Sequence, residues 1–127
     1  MMLVLFALQL CAQANARYPL RQTFDAVCMA ESAGDPRAYN PREDAAGIAQ
    51  IRPIMVQDCN RIIGHAKYSL ADRWNPAKSW EMFRLYSLYY APRGTPEIWS
   101  RNWCGGPDGH RQGCTLAYWR KVQAAMK

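Results

Sequence analysis

The sequence predicts a mostly α-helical domain of five or six helices around one central buried helix, with a small loop or hairpin lobe. Three observations indicate this class. The length of 127 residues suits one compact domain rather than two. Apolar residues recur at helical spacing in several segments, and strand-like alternation is scarce. The segment from Pro76 to about Ala91 is apolar on many sides, which is typical of the buried centre of a small α domain.

The first helix is expected over residues 20–32, because apolar residues and Glu31 recur on one side of it. Gly34 ends this helix, since glycine accepts the backbone conformation that follows a helix. The next segment, residues 35–47, is polar and rich in turn formers such as the pair Asn40-Pro41. It is therefore predicted to form a loop or a small hairpin.

Prolines mark the starts of the later helices, because proline is tolerated in the first helical turn. The first of them ends at Gly64, and Thr95 is the expected N-cap of another. The segments 65–75 and 104–113 are predicted as a connection and a glycine-rich loop. The predicted helices cover residues 53–63, 76–91, 96–103 and 115–126, the last with Leu116, Trp119, Val122 and Ala125 as its apolar contacts.

The first sixteen residues resemble a secretion signal. Met1 to Leu10 are apolar except for Gln9, and small residues follow over Ala12 to Ala16. The apolar run is too short to span a bilayer, so no integral membrane segment is expected in the mature chain. We therefore divide the chain into a signal peptide over residues 1–16 and a domain over residues 17–127. The alternative is an N-terminal helix that packs on the domain.

The charge balance fits a polyanionic partner. Sixteen Lys and Arg against ten Asp and Glu give a net charge of +6, spread along the chain. No basic helix or zinc-finger spacing is present, so nucleic acid is not expected as a partner. Bacterial cell wall fits better, and a merely soluble basic surface is the alternative. His65 and His110 stand apart from each other and from paired cysteines, so neither a metal nor a cofactor is expected.

Four cysteines follow the signal-like segment, an even number that fits two disulfides in an oxidising compartment. A bond between Cys104 and Cys114 would close the glycine-rich loop and contribute roughly 2–3 kcal/mol in the chain-entropy model. Cys28 and Cys59 lie on apolar helical faces. They either pair with each other or remain buried thiols, and the sequence leaves all three pairings open.

Glu31 is the candidate general acid. It falls in the last turn of its helix, where the helix dipole disfavours an anion, and apolar neighbours add a desolvation cost. Both effects raise the affinity of the carboxyl group for a proton. The alternative is an ordinary surface glutamate at a helix end. Among the other carboxylates, only Glu43 and Asp44 fall close enough to face a cleft as a second carboxylate, and a solvated loop is the alternative for both.

Four motifs together resemble the soluble lytic transglycosylase domain, which has the lysozyme-like fold and is related to goose-type lysozymes. They are Glu31-Ser32, the segment from Gly47 to Pro53, the pair Tyr89-Tyr90 and the segment from Trp103 to Gly109. The resemblance implies that Glu31 is the sole acid and base and that Ser32 supports it. It implies substrate binding by Ser32, Gly47, Ile48, Gln50, Ile51, Tyr90, Trp103, Gly105 and Gly106.

Two positions depart from the patterns of these families. Trp103-Cys104 stands where the transglycosylase pattern usually has Tyr-Asn, and a disulfide from Cys104 to Cys114 could brace the loop instead. Arg52 stands where goose-type lysozymes carry an aspartate, which disfavours hydrolysis. With Arg37 and Arg42, it would favour an acidic cell-wall substrate.

By resemblance, the chain would be a secreted or periplasmic, cell-wall-associated monomer. It would cleave peptidoglycan glycan strands to 1,6-anhydro products. The alternatives are a hydrolytic muramidase of the same fold, with Asp44 or Glu43 as base, and a catalytically weak wall-binding protein.

Overall fold

The structure, a computed structural model, describes residues 19–127 and confirms a mostly helical chain. The first helix, α1, covers residues 19–32 of the described chain. Two short antiparallel strands follow and form the predicted hairpin, with Tyr39 opposite Ala46. The strands are β1 (Tyr39–Asn40) and β2 (Ala45–Ala46), and the later helices are α2 (Pro53–Ile63), α3 (Pro76–Tyr90), α4 (Pro96–Gly105) and α5 (Leu116–Ala125). The predicted signal peptide, residues 1–16, lies outside the described residues.

Local capping explains why the helix boundaries agree closely with the prediction. The Asn75 side chain accepts hydrogen bonds from the Ala77 and Lys78 backbone at the start of α3, and Thr95 caps α4 through the Ile98 amide. Gly64 ends α2 in the left-handed conformation. The two connections are more ordered than predicted, because they contain short 3₁₀ helices over Leu70–Trp74, Gly109–Arg111 and Gly113–Thr115.

The core lies between α1, α2, α3 and α4, and aromatic rings form its centre. Phe83 of α3 is fully buried at its centre. Its ring centroid lies 5.3 Å from that of Phe24 in α1 and 5.0 Å from that of Trp103 in α4. Tilted and edge-to-face contacts of this kind add to the stabilisation that burial provides. The end of α1, which carries Glu31, is therefore held on a rigid base.

Helices α3 and α5 are less enclosed than their sequences suggested. One face of α3 is buried, whereas Trp80 and Leu88 are only half-buried and Tyr89 is 53% exposed. In the described chain, this side of α3 lines an open groove. On α5, Leu116 and Ala125 are exposed instead of packed. Trp119 and Val122 pack inward as predicted, and Tyr118 joins them, because the helix is slightly rotated relative to the predicted apolar stripe.

A buried arginine fastens the hairpin lobe to the rest of the molecule. Arg73 is 6% exposed, and its Nη1 donates to the backbone carbonyls of Asp44, at 2.6 Å, and Ile51, at 3.2 Å. The same nitrogen lies 3.3 Å from the Asp44 carboxylate. A buried guanidinium requires such partners, because burial without them costs several kcal/mol. Arg73 thus fixes the hairpin against the segment that precedes α2.

The four described cysteines are free thiols, so the structure does not contain the expected disulfides. Cys28 and Cys59 are buried, and burial raises the pKa of each thiol to about 12. This arrangement corresponds to the alternative of buried thiols. Cys104 and Cys114 are both exposed. Among residues 19–127, no helix has the length and hydropathy that crossing a membrane requires.

Candidate active site

Glu31 lies half-buried in the last turn of α1, at the position that the sequence predicted. Burial raises the pKa of its carboxyl group, and the negative charge of Glu43 adds to that rise. The Tyr118 hydroxyl and the charges of Lys121 and Arg52 act in the opposite direction, and the net pKa shift is upward. A carboxyl group in this environment can hold a proton and give it to a bound molecule.

Tyr118 is a site residue that the sequence reasoning missed. Its buried hydroxyl lies near Glu31 and acts to lower the pKa of that carboxyl group, and burial together with the Glu31 charge raises the pKa of Tyr118 well above its ordinary value. Among residues 19–127 this hydroxyl has no partner in regular hydrogen-bonding geometry. The signal in the sequence was the spacing of Tyr118 and Val122, which places both on one face of α5.

The segment from Gly47 to Ile51 forms one wall beside Glu31, and Ser32 connects it to α1. The Ser32 hydroxyl lies 2.7 Å from the Ile48 carbonyl and 3.1 Å from the Cys28 carbonyl. The Gln50 side-chain amide donates to the carbonyls of Ala38 and Gly47, at 3.0 and 2.9 Å. Its nitrogen therefore stabilises the wall itself.

Gly47 is required where this wall passes the 3₁₀ helix. Its φ of +82° lies in the left-handed region, and a Cβ atom there would collide with the Arg73 carbonyl. Ile51, which follows in the same segment, is completely buried. Its side chain therefore belongs to the core, and only its backbone is placed near the site.

A cleft of about 550 Å³ lies between α2, α3 and α4. Glu31 and the predicted binding residues before Tyr90 do not line it, but the charge of Glu31 reaches Cys104, which does. The cleft brings together four of the predicted binding residues, namely Tyr90, Trp103, Gly105 and Gly106. Trp103 is only 3% exposed, and its indole nitrogen donates to the Ala49 carbonyl at 3.2 Å. This bond joins the cleft to the wall of Gly47 to Ile51. Cys104 also lines the cleft. The pKa of its thiol is raised, with partial desolvation as the largest cause and the Glu31 charge as the second.

A polar network on the floor of the cleft was also missed. The Tyr90 hydroxyl donates to the Asp58 carboxylate at 2.6 Å, and Arg61 pairs with the same carboxylate at 2.8 Å. Arg61 also donates to the Tyr90 hydroxyl at 2.8 Å. Because Asp58 and Arg61 are one turn apart, their pairing could be expected on α2, but the contact with Tyr90 depends on how α2 and α3 pack. The network holds Tyr90 in place.

The two candidate second carboxylates have different surroundings. The Asp44 carboxylate accepts a hydrogen bond from the Tyr39 hydroxyl at 2.9 Å and pairs with Arg73 at 3.3 Å. Glu43 is exposed, and its charge raises the pKa of Glu31. Of the two, Glu43 is the carboxylate that acts on Glu31. No group of three or more potential metal-ligating side chains occurs within the described range.

Comparison with known proteins gives one match. A family model described as the transglycosylase SLT domain matches residues 10–87, which is more than half of the chain. The matched segment contains Glu31 and the wall from Gly47 to Ile51. It ends within α3, so Trp103 and Tyr118 lie beyond it. No curated protein and no solved structure matches the chain.

Proposed function

Because the chain belongs to the transglycosylase SLT family, which cleaves the glycan strands of peptidoglycan, we propose a specific reaction for it. It cleaves the bond between N-acetylmuramic acid and N-acetylglucosamine without water. Glu31 acts alone, first as acid and then as base. The observation that carries this proposal is the raised pKa of the half-buried Glu31 carboxyl group, whose charge reaches Cys104 in the lining of the cleft.

The reaction uses one carboxyl group twice, first to donate a proton and then to accept another. Protonated Glu31 gives its proton to the glycosidic oxygen, the bond to C1 of the muramic sugar breaks, and positive charge develops on that ring. The acetamido oxygen of the same sugar stabilises this charge. Glu31, now an anion, takes the proton of the sugar's 6-hydroxyl group, whose oxygen bonds to C1. The products are a 1,6-anhydro sugar and a free 4-hydroxyl group, and Glu31 is protonated again.

The surroundings of Glu31 support both steps. Burial favours its neutral form before the reaction, and the Tyr118 hydroxyl supports its anion between the two proton transfers. Asp44 is occupied by Tyr39 and Arg73, which supports a mechanism with a single carboxylate. The proposed substrate places the working protein in the periplasm or outside the cell.

The hydrolytic alternative is favoured by one observation, the electrostatic contact between Glu43 and Glu31. In this version, Glu43 activates a water molecule that attacks C1, and the product is an ordinary reducing sugar. The two products differ in mass by one water molecule. The mass of the released sugar therefore distinguishes the two mechanisms.

The test is digestion of purified peptidoglycan followed by mass analysis of the released fragments. We expect 1,6-anhydro ends from the wild type and from Glu43→Gln. We expect at least about a hundredfold slower release from Glu31→Gln, since a positioned acid–base group contributes about 10²–10⁴-fold. Glu81→Gln is the matched control, because that carboxylate pairs with Lys67 and Lys78 outside the site. Reducing ends alone, or equal activity of Glu31→Gln, would contradict the proposal.

A further inference from the structure

The cleft contains one cation without an anionic partner, the guanidinium of Arg52. This side chain is half-buried and lines the cleft. Within residues 19–127 it takes part in none of the ion pairs. A partly buried guanidinium loses part of its contact with water, and here no carboxylate compensates for that loss in free energy. A ligand with a negative charge could supply that missing partner.

The other charged groups of the cleft are already neutralised. Arg61 is paired with Asp58, bonded to the Tyr90 hydroxyl and placed over the Tyr89 ring at 5.9 Å. Although Cys104 is an exposed residue, partial desolvation and the Glu31 charge raise the pKa of its thiol, so the thiol stays neutral. The lining thus has two arginines against one aspartate, and the excess positive charge belongs to Arg52.

Arg52 lines the cleft and is also near enough to the proposed acid for its charge to act on it. Its charge counteracts part of the burial effect on the pKa of Glu31, and it acts in the same direction on Cys104 and Tyr86, which line the cleft. A ligand that occupies the cleft would therefore lie against Arg52. The planar guanidinium can bind a carboxylate through two parallel hydrogen bonds.

We propose that Arg52 binds a carboxylate of the glycan substrate and thereby selects the muramic acid sugar over neutral sugars. The carboxylate belongs to the lactyl arm of that sugar or, where a peptide is attached to this arm, to the peptide. This assignment rests on the proposed function, because only peptidoglycan strands place such a carboxylate beside the bond to be cleaved.

The experiment measures binding in the Glu31→Gln background, so that the ligand is not consumed. Three ligands of equal length are compared by calorimetry: glycan strands with peptides, strands freed of peptides by an amidase, and chito-oligosaccharides without carboxylates. We expect Arg52→Gln to weaken binding of a carboxylate-bearing strand at least about tenfold, or roughly 1.4 kcal/mol. Binding of chito-oligosaccharides should change less than about twofold.

Two further variants make the result specific. Arg52→Lys keeps the charge without the planar fork and should recover part of the lost affinity. Arg120→Gln removes an equal charge from an exposed position on α5 and should change nothing. A loss confined to peptide-bearing strands assigns the carboxylate to the peptide, and a loss confined to peptide-free strands assigns it to the lactyl arm. A loss on both strands shows that Arg52 binds whichever of the two carboxylates the strand carries. Equal weakening of all three ligands, or no weakening, would overturn the inference.

The failure of this inference is distinguishable from that of the proposed function. If wild-type protein releases anhydro fragments but Arg52→Gln discriminates among ligands as the wild type does, only the inference fails. If wild-type protein releases no anhydro fragments, the proposed reaction fails, and the binding data still decide the role of Arg52. Circular dichroism and thermal melting check that each variant is folded. The Arg52 backbone contacts to α2 do not involve its side chain.

Discussion

At the scale of single residues, Glu31 lies between groups that oppose one another. Burial and Glu43 favour its protonated form, whereas Tyr118, Lys121 and Arg52 favour its anion. The proposed reaction needs both forms in turn, because the same carboxyl group gives a proton and then takes one. A site that favoured either form strongly would slow one of the two steps.

Removal of the Tyr118 hydroxyl should expose this balance. In Tyr118→Phe the Glu31 anion loses a stabilising group, so the pKa of Glu31 should rise further. Because the free enzyme needs protonated Glu31, the fall of kcat/KM at high pH should move to higher pH. The measurement is the pH dependence of kcat/KM, with Tyr68→Phe as control, since that hydroxyl contacts Glu81 instead. If the pH at which kcat/KM falls on the alkaline side is unchanged or lower in Tyr118→Phe, this role of Tyr118 is contradicted.

The sequence predicted Glu31 better than it predicted the neighbours of Glu31. The upward direction of its pKa shift is confirmed, and burial is the largest cause. Its catalytic role stays a prediction. The spacing of Tyr118 and Val122 could place both on one face of α5, but the approach of Tyr118 to Glu31 depends on how α5 packs against α1, which no local pattern fixes.

At the scale of elements, the segment from Gly47 to Ile51 is positioned by its contact with the 3₁₀ helix over Leu70–Trp74. Gly47 has no Cβ, which lets its backbone approach the Arg73 carbonyl. The Arg73 side chain then bonds back to the hairpin and to Ile51. Backbone approach and side-chain bonding together hold the wall in one place.

Two glycines allow conformational strain and steric collision to be separated. Gly64 has a φ of +90° with open space around it, so Gly64→Ala should cost only the left-handed strain of roughly 1–2 kcal/mol. Gly47→Ala carries the same strain and also collides with Arg73, so it should cost clearly more. Urea unfolding of both variants measures the difference in free energy of unfolding. Equal losses would show that the wall can shift freely.

The helix boundaries could be predicted, because the residues that cause them are local. The short 3₁₀ helices between the α-helices could not be predicted, because they depend on contacts that are distant in sequence. Proline, Asn75, Thr95 and Gly64 set the helix ends within a few residues of themselves. The 3₁₀ helix at Leu70–Trp74 lies in a segment predicted only as a connection. Its buried Arg73 is satisfied by partners more than twenty residues away, and no local pattern reveals such partners.

At the scale of the whole molecule, the site joins segments from both ends of the described chain. Glu31 belongs to the first helix, and Tyr118 belongs to the last. Helix α5 has one fully buried side chain, Val122, with Tyr118 and Trp119 only partly covered. Since few buried contacts mean low local stability, α5 should open more readily than the core.

Val122→Ala should therefore uncouple activity from global unfolding. Loss of two buried methyl groups costs roughly 2 kcal/mol, and we expect the loss to fall mainly on the docking of α5. In a urea series on a Trp119→Phe background, which leaves no tryptophan on α5, glycan cleavage should then disappear before tryptophan fluorescence reports unfolding of the core. Leu116→Ala, at a position on α5 that is 37% exposed, is the control and should leave the two transitions closer together. Coincident transitions in Val122→Ala would contradict a separately opening α5.

The shallow attachment of α5 also has a consequence for the order of folding. The contact between Glu31 and Tyr118 joins residues far apart in sequence, so closing the loop between them costs considerable entropy. We therefore expect it to form late in folding, after the aromatic core has assembled. Until then, Glu31 lacks the hydroxyl that supports its anion. By this reasoning, the proposed glycan cleavage would reach its full rate only at the end of folding, and partly folded molecules would be poor catalysts.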